Sequence, residues 1–144
     1  MKKSIIACLL WCCAAAQGAT TWFNVMGDPA DENVNTIEVD PSPVSVSGET
    51  HIMRVRVSRS EERTNWEGKP YRSHVSEVLF DCSQGTASYL KVDYYSLPLW
   101  KGEPFLQSEY SPSDAHMMQF RDVEPNPYRR IIRAVCTTSS ITNN

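Results

Sequence analysis

The stretch Pro127-Tyr128-Arg129-Arg130-Ile131-Ile132-Arg133-Ala134-Val135-Cys136 decides the fold. Tyr128, Ile131, Ile132, Val135 and Cys136 recur at the i, i+3, i+4, i+7 and i+8 spacing of one helical face, and Arg129, Arg130 and Arg133 fall outside it. Proline has no amide hydrogen and a fixed φ, so Pro127 suits a first helical turn. The spacing predicts an amphipathic helix with Cys136 on the face that must be buried. Upstream, Tyr71 to Cys82 reads as a strand, with Val78, Phe80 and Cys82 alternating onto one side. Read independently, the helix pattern and the strand pattern agree on one staple, Cys82–Cys136, joining helix to sheet.

Further strands extend the sheet. Gln84-Gly85 supplies a turn, and Ser88 to Tyr95 returns with Leu90, Val92 and Tyr94 aligned, which makes an antiparallel hairpin. Thr50 to Arg59 places Met53, Val55 and Val57 on one face and Arg54, Arg56 and Ser58 on the other. Trp22 to Met26 and Thr36 to Val39 are shorter strands, stopped by Gly27-Asp28-Pro29 and Asp40-Pro41. Pro41 to Gly48 carries two prolines, which cannot donate to a ladder, and reads as a loop or sheet edge. Ser60 to Pro70 is polar and reads as an extended hairpin loop. Leu97 to Pro127 is rich in proline and aromatic residues, with one further strand expected around Phe105 to Tyr110. Thr137 to Asn144 is a polar tail. The expected class is α+β: a mainly antiparallel sheet, one face covered by the C-terminal helix, and a helix-to-sheet disulfide.

The N-terminus reads as a leader outside the fold. Lys2 and Lys3 precede an apolar run from Ser4 to Ala16, followed by the small residues of Ala14-Ala15-Ala16 and Ala16-Gln17-Gly18. A bilayer span needs about 20 apolar residues, so a cleaved signal peptide is expected over residues 1–18, a single domain over 19–137 and a disordered tail over 138–144. Cys8, Cys12 and Cys13 invite a lipoprotein reading. Cys8 has too little apolar sequence before it, Cys12 follows the bulky Trp11 and Cys13 follows Cys12, so ordinary cleavage fits better. Cleavage removes three of five cysteines. The two that remain, in an exported chain, read as a disulfide, and closing so long a loop stabilises by roughly 4 kcal/mol in the chain-entropy picture.

The charge balance excludes some partners. Fourteen basic and 17 acidic residues give −3. Loss of Lys2 and Lys3 leaves 12 against 17, or −5. An acidic domain cannot neutralise a phosphate backbone, so nucleic acid is not expected. Nor is there a polybasic stretch for anionic lipid, and no integral membrane segment is expected after cleavage.

Catalytic patterns are weak. His51, His74 and His116 lack the spacing that puts two ligands on one element, and neither a metal nor a cofactor is expected. No Gly-x-Ser-x-Gly elbow occurs. Ser113-Asp114-Ala115-His116 groups three triad residue types, but triads are assembled from separate elements, so a turn is the better reading. Glu61-Glu62 and the pair Glu103 and Glu109 lie in apparent loops, where nothing desolvates a carboxyl. An enzyme is therefore not expected. The arginines carry more information. Arg54 and Arg56 project from the polar face of one strand, and Tyr89, Lys91, Asp93 and Tyr95 from the corresponding face of another. Trp66 and Trp100 fall in loops. Arginine, tyrosine and tryptophan dominate binding hot spots, so Arg54, Arg56, Tyr89, Lys91, Tyr95, Trp66 and Trp100 form the candidate binding surface. An ordinary solvated sheet face with cross-strand charge pairs is the competing account.

The order of these features resembles the surface-adhesin protein E family of Gram-negative bacteria. The resemblance runs from about Thr21 to Cys136 and is carried by Trp22, Asp40-Pro41, Gly68-Lys69-Pro70-Tyr71-Arg72-Ser73, Phe80-Asp81-Cys82, Tyr94-Tyr95-Ser96 and Ile132-Arg133-Ala134-Val135-Cys136. It implies a disulfide-closed antiparallel sheet backed by a helix. It also implies a non-enzymatic role at the periplasm or outer cell surface, with host extracellular-matrix proteins as partners. Pro98 to Pro127 matches no motif of the family. The alternative is a soluble periplasmic envelope protein that binds a bacterial partner or small ligand.

Overall fold

The computed structural model describes residues 21–138. The expected signal peptide lies outside the described residues, as does the expected tail beyond Thr138. In chain order the elements are β1 (Phe23–Met26), β2 (Thr36–Val39), β3 (Ser45–Ser47), β4 (Thr50–Thr64), β5 (Pro70–Asp81), β6 (Thr86–Tyr95), β7 (Leu106–Glu109), β8 (His116–Met117) and α1 (Tyr128–Thr138). One antiparallel sheet runs β1-β2-β4-β5-β6-β7, with β3 beside β4 and β8 beside β6. The stretch with two prolines is thus partly an edge strand, and the strand expected near Phe105 to Tyr110 is β7.

Alternation along β4 sets the two faces. His51, Met53, Val55 and Val57 are buried on the inner face, where they pair across to Phe80, Val78, Ser76 and His74. Arg54, Arg56 and Ser58 lie on the outer face. The pleat makes side chains of directly paired residues share a face, so Ile37 and Val39 of β2 join the inner layer through Val57 and Val55. Gly27 closes the β1–β2 connection at φ +83°; a Cβ there would lie 2.2 Å from the Asn35 carbonyl oxygen, so no other residue fits.

Two register shifts change what the sequence pattern led one to expect. In β6, Val78 pairs with Tyr89 and Glu77 with Lys91, so Leu90 is an extra, unpaired residue. This bulge puts Tyr89 on the inner face with Val92 and Tyr94, whereas simple alternation put it outside with Lys91 and left Leu90 inside. In β4, Ser58 pairs with Ser73 but Arg63 pairs with Tyr71, so four residues bulge against Arg72. Rather than ending at Arg59, β4 continues to Thr64, and the expected long loop shrinks to Asn65–Lys69. Asn65 explains the tight turn: its Oδ1 accepts from the amides of Glu67 (3.0 Å) and Lys69 (2.8 Å).

The helix covers one end of the inner face. Asn126 Oδ1 accepts from the Tyr128 amide at 2.9 Å, and the Pro127 carbonyl accepts the first helical bond from the Ile131 amide at 3.0 Å, so Pro127 stands at the boundary just before the helix rather than inside its first turn. Ile131 and Val135 are buried in the core, contributing roughly 1.5–3 kcal/mol each by removal from water. The Tyr128 hydroxyl donates to the Gly85 carbonyl at 2.9 Å. Cys136 bonds Cys82 across 54 positions of chain. Thr137 and Thr138 still belong to the helix rather than to the tail. No helix among the described residues is long and apolar enough to cross a membrane.

Replacing Cys136 by Ser is expected to destabilise the domain by about 2–5 kcal/mol, the usual effect of losing a native disulfide from a small exported domain. Denaturant unfolding in oxidising buffer measures it; an unchanged midpoint would show that the staple carries no stability.

Candidate functional site

The outer face is built from cross-strand rows. Arg54, Glu77 and Lys91 pair in register across β4, β5 and β6. A second row runs Glu38, Arg56, Val75, Asp93 across β2, β4, β5 and β6. Opposite charges directly across a ladder stabilise it and fix register. Arg56 is the centre. Its Nε donates to Glu38 Oε2 at 2.7 Å, and its guanidinium lies 4.4 Å from the Trp22 ring centre and 4.0 Å from that of Trp100. A cation held between two indole faces gains electrostatic attraction from both. Beside this stack a 270 Å³ recess is lined by Trp22, Arg54, Glu77, Lys91 and Asp93.

Trp100 is held at a backbone cost. Leu99 and Trp100 have φ of 53° and 57°, a left-handed conformation that costs L-residues about 1–3 kcal/mol and persists only when the surroundings impose it. They do so here: the Leu99 amide donates to Ser58 Oγ at 2.9 Å, the Trp100 amide to Ser73 Oγ at 3.0 Å, and Ser73 Oγ to the Leu97 carbonyl at 2.6 Å. The indole N–H reaches the carbonyls of Val57 (3.2 Å) and His74 (3.0 Å).

The inner face holds a second concavity, of 390 Å³, at the β4–β5 turn end and away from the disulfide. The β4 bulge builds its polar side. Arg72 fastens the bulge by donating to the carbonyls of Arg59, Ser60 and Glu32 at 3.0–3.3 Å. Arg59 and Arg63 then line the cavity, and Asp122 lies 3.3 Å from Arg59 Nη1 and 3.4 Å from Arg63 Nε. Neither contact has hydrogen-bond geometry. Arg59 Nε and Nη1, Arg63 Nε, Asn65 Nδ2 and His74 Nδ1 are all buried without a hydrogen-bond partner. Such atoms cost about 1–3 kcal/mol each when left unpaired. The Asn65 amide orientation follows from its oxygen accepting the two turn amides, which leaves the nitrogen turned away from the turn. Arg59 and His74 are only 7% and 4% exposed.

Aromatic rings make the other wall. Tyr71 meets Tyr94 with centres 5.1 Å apart, and His74 stands 5.8 Å from Tyr89, both edge-on. Trp66, 54% exposed on the β4–β5 turn, contacts Tyr89, Tyr110 and His116 at the rim. Burial pushes the Tyr89 and Tyr94 phenols far above their ordinary range, so both keep their protons and can donate. Burial, with the nearby Arg59 cation, lowers His74 to about 3, so its ring is neutral at physiological pH.

The candidate surface read from the sequence therefore divides. Arg54, Arg56, Lys91, Tyr95 and Trp100 share the outer face, joined by Trp22. Tyr89 and Trp66 belong to the inner cavity. Arg59 and Arg63 lie outside the surface expected from the sequence, and His74 enters that reading only among the histidines considered as metal ligands. Arg59 is a charge in phase with the apolar face of β4, Arg63 lies past the bulge where pairing resumes, and Asp122 sits in the stretch without a pattern. His51 pairs with Phe80 and His74 with Val57, so the two histidines are not cross-strand partners. Among the described residues no group of three or more His, Cys, Asp or Glu is placed to hold a metal.

Residues 22–137 match the family model described as surface-adhesin protein E. No curated protein and no solved structure gives a match.

Two measurements probe these sites. Arg56→Met leaves the Glu38 carboxylate, 4% exposed, without its cation. The expected cost is about 3 kcal/mol, as for a broken buried pair, and most of it should return in the Arg56→Met, Glu38→Gln double variant. Urea unfolding of the four proteins decides it, and independent, additive effects would show that the pair is not coupled. His74 supplies a pH dependence. Its folded pKa lies below the unfolded value of 6.5, so its contribution is present above pH 6.5 and is lost as pH falls toward 3. Between pH 6 and 4, His74→Phe should flatten the stability profile by up to about 1.4 kcal/mol per pH unit, the slope of one proton. Parallel profiles would mean that His74 is protonated in the native state.

Proposed function

The chain belongs to the surface-adhesin protein E family, and we propose that it acts as a non-enzymatic exported binding protein that contacts host extracellular-matrix proteins through the outer sheet face. In this reading residues 1–18 are removed on export, residues 19–137 form the working domain and 138–144 are a tail. The observation that carries it is the Trp22-Arg56-Trp100 stack and the charged recess beside it. Tryptophan and arginine are the residue types that supply most binding energy at protein interfaces. Held by Glu38 and by the clamped Leu97–Trp100 turn, they are ordered before a partner arrives, which lowers the entropic cost of association. Arg54 and Lys91 flank Glu77 at the recess, a pattern of alternating sign that selects a partner of matching charge.

Saturable binding to at least one member of a panel of immobilised extracellular-matrix proteins is expected in surface plasmon resonance. The double variant Arg54→Gln, Lys91→Gln should weaken it at least tenfold while leaving the circular dichroism spectrum of the folded domain unchanged. Absence of binding across the panel, or full binding by the variant, would sink the proposal. Protease treatment of intact and lysed cells addresses the compartment. Digestion of the domain on intact cells is expected; protection until lysis would make it a periplasmic protein and move the search to envelope partners.

A further inference from the structure

We propose that the inner-face cavity is a binding site for a small planar aromatic molecule carrying one carboxylate. The site lies on the other side of the sheet from the outer recess and stands independently of the adhesive role. Its volume of 390 Å³ falls within the roughly 300–1,000 Å³ usual for small-molecule pockets.

The polar wall specifies the anionic group. Arg59 presents Nε and Nη1 as buried donors without hydrogen-bond partners. These two N–H groups lie on different edges of the guanidinium, so a ligand carboxylate takes one of them in a charge-assisted hydrogen bond and shares its other oxygen with a neighbouring donor of the lining. Arg63 Nε and Asn65 Nδ2, buried and equally without partners, lie in the same lining. A ligand that accepts from some of these donors relieves the cost of leaving them unpaired. The charge count favours an anion, and the carboxylate among the donors favours one of low charge. Arg59, Arg63 and Arg121 face one carboxylate, Asp122, giving a net +2 around the cavity. Asp122 is 3.3–3.4 Å from both arginines, so a dianion such as a phosphate monoester would meet more repulsion than a carboxylate at the point where it must bind. The neutral His74 ring offers a hydrogen-bonding nitrogen with no charge of its own.

The opposite wall specifies the body. Tyr71, Tyr89, Tyr94 and Phe120 surround the space, and Trp66 stands at the mouth. Aromatic side chains favour edge-on and offset contacts with another ring, and these walls already show that arrangement among themselves, at 5.1–5.8 Å between centres. Arg59 lies 5.4 Å from the Phe120 ring centre, so the anion-binding group and the ring-binding wall adjoin. A purely aliphatic acid would waste this wall, and an uncharged aromatic would leave the arginine donors unpaired.

The test is isothermal titration of the mature protein with indole-3-acetate and 2-naphthoate, beside their neutral amides. Saturable one-to-one binding of at least one acid is expected, with its amide at least tenfold weaker. Arg59→Gln should reduce the affinity of the acid tenfold or more. Should that variant fail to fold, Trp66→Ala and Arg63→Gln carry the test: both sites are partly or fully exposed, and each change should weaken binding at least threefold with an unchanged circular dichroism spectrum. Amide chemical-shift mapping should place the perturbations at Asn65, Trp66, His74 and Tyr89. Failure of both acids to bind the folded protein at millimolar concentration would overturn the proposal. So would equal binding of acid and amide, or perturbations confined to Arg54, Glu77 and Lys91.

Discussion

Among the described residues an eleven-residue α-helix is the only α-helical cover for a sheet with central strands of 15 and 12 residues. The helix measures about 16 Å along its axis, while a twelve-residue strand runs to about 40 Å. The disulfide fixes the helix at the β5–β6 turn end. The far end of the inner face must then be covered by something else or stay open. Residues from Met117 to Asp122 and the β4–β5 turn cover it in part, with Met118, Phe120 and Val123 buried against the sheet. What is left is the cavity. Its position follows from where the helix stops, and its polarity from which residues the strands place beneath it.

Those residues are there because neither central hairpin is regular. A bulge turns a strand and re-aims the side chains that follow. In β6 the extra residue Leu90 brings Tyr89 inward. In β4 Arg59 stands in phase with Met53, Val55 and Val57 at the start of the bulge, Arg63 lines the same cavity at its end, and the bulged carbonyls find donors in the Arg72 guanidinium. The same guanidinium reaches Glu32, in the connection between β1 and β2, so the bulge is tied to the neighbouring loop as well. Asn35 Oδ1 accepts from the Ser60 amide at 3.2 Å and completes the tie. An irregularity with this many partners is a built feature of the sheet.

Much of the architecture could be read from residue spacing because it rests on periodicity. The stripe from Tyr128 to Cys136 has the period of a helix, and Met53, Val55 and Val57 have the period of a strand. Cys82 and Cys136 each sit in phase with a buried face, so the disulfide could be read from two local patterns. Legibility ended where the period broke. Tyr89 was placed outside because alternation counted back from Tyr95 puts it there, and no residue type announces the extra Leu90. Arg59 in phase with Met53, Val55 and Val57 is a local conflict, a charge on an apolar face, and that conflict was the available signal for the cavity. His74 carried no comparable sign, since a lone strand histidine reads equally well on either face. On the outer face Arg54, Arg56 and Lys91 came together because the ladder there is regular. Trp100 joined them through a left-handed turn that no spacing predicts.

The two concavities are separated by one layer of backbone, and the pleat assigns neighbours in sequence to opposite sides of it. Ser58 faces outward and Arg59 lines the inner cavity. Ser73 faces outward and His74 inward. The two serines are the ones that receive the strained Leu97–Trp100 turn, through Ser58 Oγ and Ser73 Oγ. The Trp100 indole also donates to the carbonyls of Val57 and His74, the residues on either side of that contact. The turn that presents Trp100 to the outer face is therefore bonded to the same four residues, 57–58 and 73–74, that set the position of the inner donors. Regular ladder hydrogen bonds alone would leave this end of the hairpin held only by its strands, beside a bulge that interrupts them. The left-handed turn supplies the missing constraint from the outside, and its conformational cost is offset by the five hydrogen bonds that hold it to the two strands.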